Sequence, residues 1–176
     1  MIVYGGSGHG KVIIEILEAN KITDITVWDD NPKADSLLGY PLQKPSKDFF
    51  DKNKIVIIGI GDNAIRKKVV ERIDAHFSFI SAVHPRSEIS VRTKIDIGTT
   101  VMAGVIINSS VNIGKHCIIN SRALIEHDTI IEDFAHISPS VTLCGNILVG
   151  EGAHIGAAAV IIPGIKIGKW STIGAG

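Results

Sequence analysis

Two short stretches of the chain carry residue types that could do chemistry. The first is Glu126-His127-Asp128. An imidazole, with its ordinary pKa of about 6.5, can take a proton at neutral pH. A neighbouring carboxylate can fix its tautomer by accepting the hydrogen of the other ring nitrogen. Adjacent residues of a strand point opposite ways, so His127 and Asp128 can pair only if the backbone bends between them. The second stretch, Gly5-Gly6-Ser7-Gly8-His9-Gly10-Lys11-Val12, lies between an apolar run and an amphipathic segment. Glycines in that setting make a tight turn that brings amides and a helix N-terminus to a phosphate. Read from Gly5, the spacing is that of a nucleoside-triphosphate loop, but Val12 stands where a hydroxyl is needed for Mg²⁺. Read from Gly6, it begins as a dinucleotide fingerprint, but Lys11 replaces the third glycine. The stretch reads as a phosphate grip with neither kinase nor hydride chemistry attached.

The elements that must position these residues follow two different patterns. Residues 1–80 read as an α/β domain. Ile2 to Tyr4, Ile25 to Trp28, Ile55 to Ile58 and Phe77 to Ile80 are strand-like, and Lys11 to Asn20 and Ala64 to Ile73 are helix-like. Strands alternating with helices at this spacing predict a small Rossmann-like parallel sheet, with ligands beyond the carboxyl ends of its strands. That edge collects the glycine turn, Asp29, Asp30 and the segment Gly59 to Asn63. The expected contacts to a phosphate-bearing ligand at that edge are Gly6, Ser7, Gly8, His9, Asp29, Asp30 and Asn63.

From Val83 onward an aliphatic residue occupies every sixth position up to Ile173. Neither a helical nor a strand period gives that spacing; it is a hexapeptide repeat and marks a parallel β-solenoid over residues 81–176. Smaller side chains recur two places before each aliphatic, Thr99, Cys117, Ala135 and Ala153 among them. Gly98, Gly114, Gly150, Gly156, Gly168 and Gly174 recur near the corners and are expected to serve unusual backbone angles there.

Composition narrows the classes of function. With 18 basic and 18 acidic residues, no electropositive footprint for nucleic acid is present, and the short basic run Arg66-Lys67-Lys68 reads as a solvated helix face. Cys117 and Cys144 suggest neither a disulfide scaffold nor a zinc site. Among the seven histidines no pair has a ligand spacing with acidic or thiol companions, so no metal is expected. His84 and His116 read as structural, and His76 has no evident partner. No signal peptide and no apolar run long enough to cross a membrane is visible, which predicts a cytoplasmic protein.

The chain resembles the NeuD/PglD-type bacterial sugar acetyltransferases, hexapeptide-repeat enzymes with a left-handed β-helix of eighteen residues per coil. The resemblance rests on Gly5 to Gly10, on Asp29-Asp30, on Gly61-Asp62-Asn63-Ala64-Ile65-Arg66, on Glu126-His127-Asp128, on Phe134-Ala135-His136-Ile137-Ser138 and on Cys144-Gly145-Asn146. It implies acetyl transfer from acetyl-CoA, as co-substrate, to the amine of a nucleotide-activated amino sugar, a UDP-4-amino-sugar being favoured. It makes His127 the general base, Asp128 its orienting partner and Glu126 a weaker third member. His136, Gly145, Gly156, Ala157 and Ala175 would line a coenzyme groove between the subunits of a homotrimer, with a Gly145 amide facing the oxyanion. The residues leave open a GDP-linked amino sugar, O-acetylation of sialic acid, an acyl-enzyme on Cys144, or a β-helix assembly module without activity. The family continues for a further coil and a tail, so an ending at Gly174-Ala175-Gly176 reads as truncated.

Overall fold

The computed structural model describes residues 1–45 and 54–176. Strands β1 (Ile2–Tyr4), β2 (Thr26–Trp28) and β5 (Ile55–Ile58) run parallel, with Tyr4 level with both Trp28 and Ile58. All three therefore end on one carboxyl edge. Beside β2 lies a hairpin of β3 (Ser36–Leu37) and β4 (Tyr40–Gln43), and β6 (Ser78–Phe79) flanks β5, giving the order β3-β4-β2-β1-β5-β6. The hairpin was not legible in the sequence. Its two-residue turn places Leu38 and Gly39 at φ 50° and 84°, the left-handed pair that a tight hairpin requires, although a leucine gives no signal for it. Helix α1 spans Gly8–Ala19, three residues earlier than expected, because the glycine stretch itself joins the helix. Helix α2 spans Asn63–Ile73, and Asp62 caps it by accepting from the Ile65 N–H at 2.8 Å.

Alternate strand residues go to opposite faces of this sheet. Val3, Val27 and Ile57 pack with Ile13, Ile14, Ile16 and Leu17 of α1. Tyr4, Trp28, Val56 and Ile58 pack with Val69, Val70 and Ile73 of α2. Both cores continue into the second domain, the first through Ala82, Met102 and Ile118 and the second through Phe134.

The second domain is a left-handed parallel β-helix. Its two-residue strands, from β7 (Ala82–Val83) to β22 (Thr172–Ile173), form three faces of six, five and five strands. Pairs such as Val101↔Ile119 and Ile137↔Ile155 fix an offset of eighteen residues, so the domain makes about five coils. The sixth-position aliphatics and the small residues two places before them fill one continuous core. A residue with left-handed φ recurs at every sixth position from Gly98 to Gly176, and most of these residues are not glycine: Ser110, His116, Arg122, Asp128 and Phe134 are consecutive examples. Of the six glycines expected at such angles, only Gly98 adopts one, with φ 75°. Gly150 has another reason to lack a side chain, since a Cβ there would lie 2.7 Å from the Lys169 nitrogen of the next coil.

The first domain sits on the face formed by β7, β10 (Thr100–Val101), β13 (Ile118–Ile119), β16 (His136–Ile137), β19 (His154–Ile155) and β22. Arg66 joins the two. Expected on a solvated helix face, it is 1% exposed. Its guanidinium donates to the carbonyls of His116 and Phe134 on the β-helix, each at 2.8 Å, to those of Ile60 and Gly61, and to Asn63 Oδ1. Burial lowers its pKa to about 10, which leaves it charged at neutral pH. The sequence period gave no sign of this position, because a helix face turned towards another domain looks the same as one turned towards water until the domains are docked.

Arg66→Met, which keeps the bulk and removes the donors, leaves the His116 and Phe134 carbonyls buried without partners. The expected loss is about 3 kcal/mol, a fall in Tm of about 6–12 °C for a chain of this size. Thermal unfolding followed by circular dichroism checks it, and an unchanged Tm would mean that the docking does not depend on this side chain.

Candidate active site

The β-helix corner after β14 (Leu124–Ile125) and before β15 (Ile130–Ile131) carries Glu126, His127 and Asp128. Asp128 has φ 59°, and this left-handed residue supplies the bend that the pair needs. His127 Nδ1 and Asp128 Oδ2 lie 2.8 Å apart. An ionised carboxylate only accepts, so Nδ1 carries the hydrogen and Nε2 keeps its lone pair. Both side chains are 61% exposed, so the basic nitrogen is open to a reactant. One coil on, Gly145 lies against the imidazole: a Cβ there would come within 2.7 Å of His127 Cε1. The Asn146 N–H donates to the His127 carbonyl at 2.9 Å and the Gly164 N–H to the Gly145 carbonyl. The Gly145 N–H itself has no acceptor among the described residues, while the equivalent amides of Lys115 and Glu151 are taken by Asp133 and Glu132. Cys144 is half-buried against the core.

This corner joins the two faces that the first domain does not cover. The small residues expected to line a coenzyme groove, Gly156, Ala157 and Ala175, lie together at another corner, where the Gly176 N–H donates to the Ala157 carbonyl at 3.0 Å. Within one chain they do not meet His127.

The carboxyl edge of the first domain is assembled as the sequence suggested, but its carboxylates are engaged internally. Asp29 Oδ2 accepts from the Gly6 N–H at 2.7 Å and Oδ1 from the Asn31 N–H at 2.8 Å, which pins the glycine turn. Asp30 accepts from the Tyr4 hydroxyl at 2.6 Å and from Arg72 at 2.8 Å. Partial burial works against its charge, but these two bonds and the Arg72 cation hold its carboxyl below the usual range. Ser7, the N-cap of α1, makes no capping bond and is exposed beside Gly8. The helix amides there remain open to an anion. Gly8 would accept a Cβ with nothing within 4 Å.

Two expectations for this edge change. Asn63 is turned to the β-helix: its amide nitrogen donates to the Gly152 carbonyl at 3.0 Å and to that of Ala153, while its oxygen accepts from Arg66. His9, expected to meet the ligand, lies in the first turn of α1, with Nε2 buried and without a partner among the described residues. Burial and the nearby Arg66 push its pKa down to about 4.

His136 occupies the seam between the domains. Burial, aided by the charges near it, lowers its pKa to about 3. One ring nitrogen bonds the Gly61 backbone and Nε2 faces Asn120 Nδ2 at 3.1 Å. Its ring stacks on His154, one coil on, with centroids 4.7 Å apart and planes at 1°. A groove of about 430 Å³ opens beside them, lined by Gly61, Asn63, His136, His154, Trp170 and Thr172 among others. His116, read as structural, is buried between Phe79 and Phe134. Among the described residues no group of three or more possible metal ligands occurs and no helix is long and apolar enough to cross a membrane.

A nucleotide-type α/β edge docked on a left-handed β-helix, with an imidazole–carboxylate pair at an open corner, defines a hexapeptide-repeat acyltransferase. The comparisons narrow the class. Residues 1–73 match the PglD N-terminal domain family. Over 95 residues the chain is 40% identical to a UDP-N-acetylbacillosamine N-acetyltransferase of Bacillus subtilis (strain 168), a match covering 50% of this chain and 44% of that protein. It thus spans less than half the length of that curated relative. PerB from Caulobacter crescentus, in complex with CoA and GDP-perosamine, superposes with a TM-score of 0.90 at 34% identity, over 99% of this chain and 86% of that one. The acetyltransferase domain of PglB from Neisseria gonorrhoeae FA1090, in complex with acetyl coenzyme A, gives 0.90 at 30% identity, over 99% and 87%. The chain belongs to the NeuD/PglD-type family of sugar acetyltransferases.

Asp128→Ala removes the acceptor that holds the Nδ1 hydrogen and should shift the tautomer balance of His127 from Nδ1–H towards Nε2–H. Ring ¹⁵N chemical shifts of His127 read this directly; identical shifts in the two proteins would mean that Asp128 does not set the tautomer.

Proposed function

We propose that this chain transfers an acetyl group from acetyl-CoA to the amino group of a nucleotide-activated amino sugar, with His127 as the general base. The observation that carries the reading is the corner itself: an open Nε2 lone pair oriented by Asp128, beside the uncommitted amide of Gly145. As the amine attacks the thioester carbonyl, Nε2 takes its proton. The Gly145 N–H receives the oxygen on which negative charge gathers. Collapse of the adduct breaks the carbon–sulfur bond, and the imidazolium returns its proton to the departing thiolate. Glu126, half-buried beside the pair, contributes to the local charge without touching the imidazole. The missing side chain of Gly145 leaves the space in which a thioester can lie over the base.

The acceptor is held by the glycine turn of the first domain, its phosphates at the open amides around Ser7 and Gly8, with Asp29 fixing the turn and Asp30 at its flank. PerB binds GDP-perosamine, while the Bacillus relative is described by a UDP-linked sugar. Both a GDP- and a UDP-linked amino sugar therefore stand as acceptors.

His127 lies at the corner opposite the face on which its own first domain sits. The nucleotide edge of one chain therefore serves the His127 corner of another, in a homotrimer whose subunits share each coenzyme groove. His136, on the face beside the nucleotide edge, and Gly156, Ala157 and Ala175, at a different corner from His127, form the opposing wall. Apolar side chains on the uncovered faces support such contacts, with Ile106 43%, Ile130 48% and Val160 62% exposed. The compartment is the cytoplasm, where acetyl-CoA and nucleotide sugars are both supplied.

His127→Ala should lower acetyl transfer by about 10²–10⁴, measured by thiol release with UDP- and GDP-amino sugars and sialic acid, with the oligomer unchanged by sedimentation. Near-native turnover would remove His127 from the chemistry. Gly8→Asp, which the open space at Gly8 tolerates, places a carboxylate where the phosphate belongs and should also abolish turnover. Mixed oligomers of the two inactive variants should regain activity. Failure to do so would mean that each site lies within one chain.

A further inference from the structure

We infer that His154 is a binding residue for the acceptor, its imidazole holding an oxygen of the sugar in the groove above the carboxyl edge. This rests on the reading of the site given above.

The β-helix repeats a histidine at the same place on successive coils, and the two copies have different surroundings. His136 is saturated, with one ring nitrogen on the Gly61 backbone and the other on Asn120. His154 repeats half of that arrangement: its Nε2 lies 2.9 Å from Ser138 Oγ, sixteen residues earlier, as the His136 Nε2 lies against Asn120. The nitrogen equivalent to the one on Gly61 has no partner among the described residues, because on this coil Asn63 bonds the Gly152 and Ala153 carbonyls instead. A hydroxyl can donate to Nε2 or accept from it; in the arrangement that matches His136 it donates, and Nδ1 then carries the hydrogen. It is presented on an exposed ring at the groove.

Two other polar groups lining the groove are already engaged, and the Trp170 and Thr172 side chains complete the wall. Asn63 bonds Gly152, Ala153 and Arg66, and Asp62 caps α2. The parallel stack on His136 fixes the plane of the His154 ring, so the donor is aimed before a ligand arrives. The groove is continuous with Gly61, on the same strand edge as the glycine turn. A sugar attached to a diphosphate held at that turn reaches it first, which is why the acceptor, and not the coenzyme, is the occupant.

The test is His154→Phe, which keeps the ring stack and removes both nitrogens, alongside His154→Gln. In steady-state thiol release, His154→Phe should raise the KM for the nucleotide amino sugar about tenfold, the value of one hydrogen bond at 1.4 kcal/mol. The KM for acetyl-CoA should stay unchanged, and glutamine should restore part of the loss. An unchanged acceptor KM overturns the inference, and so does a rise confined to acetyl-CoA. Calorimetric titration of folded wild-type and His154→Phe protein with UDP- and GDP-amino sugars separates the two levels of the argument. If wild type binds an acceptor without turnover, the catalytic reading fails and equal binding by the variant still overturns the role of His154. If wild type binds none of them, both fall.

Discussion

A left-handed backbone turn at every sixth residue, from Gly98 to Gly176, is the constraint on which the rest of the molecule depends. For residues other than glycine that conformation costs about 1–2 kcal/mol each, and most of the positions are not glycine. The cost is offset coil by coil. Corner amides such as those of Asp128, Phe134 and Asn146 donate to carbonyls nineteen residues earlier, and each turn directs the next aliphatic into a core that is almost wholly buried. Once the corners are set, an eighteen-residue register follows, and chemistry is placed by stacking. Gly145 falls on His127, His154 on His136, and Asp128 folds back to the ring nitrogen of its neighbour.

The second controlling feature is the seam. A cation buried among carbonyls, with no carboxylate among the described residues accepting from it, gives direction without requiring a buried ion pair. Arg66 holds the loop Ile60–Gly61 and the corner carbonyls of His116 and Phe134 in one geometry, and Asn63 extends the contact to the next coil. Three histidines close to this cation, His9, His116 and His136, are kept neutral by burial and by its charge. In contrast, His127 stands on the far corner, with its side chain 61% exposed. The fold thus separates histidines that act as uncharged packing from the one left open to a reactant.

Much of this could be read from the chain. The hexapeptide phase gave the solenoid, and a doublet at a corner gave a bent imidazole–carboxylate pair. What escaped were features that depend on one domain meeting another. Arg66 read as solvated, and Asn63 and His9 as ligand groups, because nothing local tells a helix end or a loop what will lie against it. The glycines misled for a different reason: the corner angle is imposed by the register on whatever residue stands there, while several glycines are needed only where successive coils approach too closely for a Cβ.

The same register restricts how such a chain can change length. Removing six residues between the domains and Asp128 would leave every aliphatic in phase and the core intact. It would nevertheless carry the Glu126–Asp128 corner a third of a turn around the prism, to an edge bordering the docked domain. Removing eighteen would return it to the same edge, one storey lower. Viable insertions and deletions upstream of the site should therefore come in whole coils, a quantised drift in which an alignment gap of six is tolerated by stability and rejected by activity.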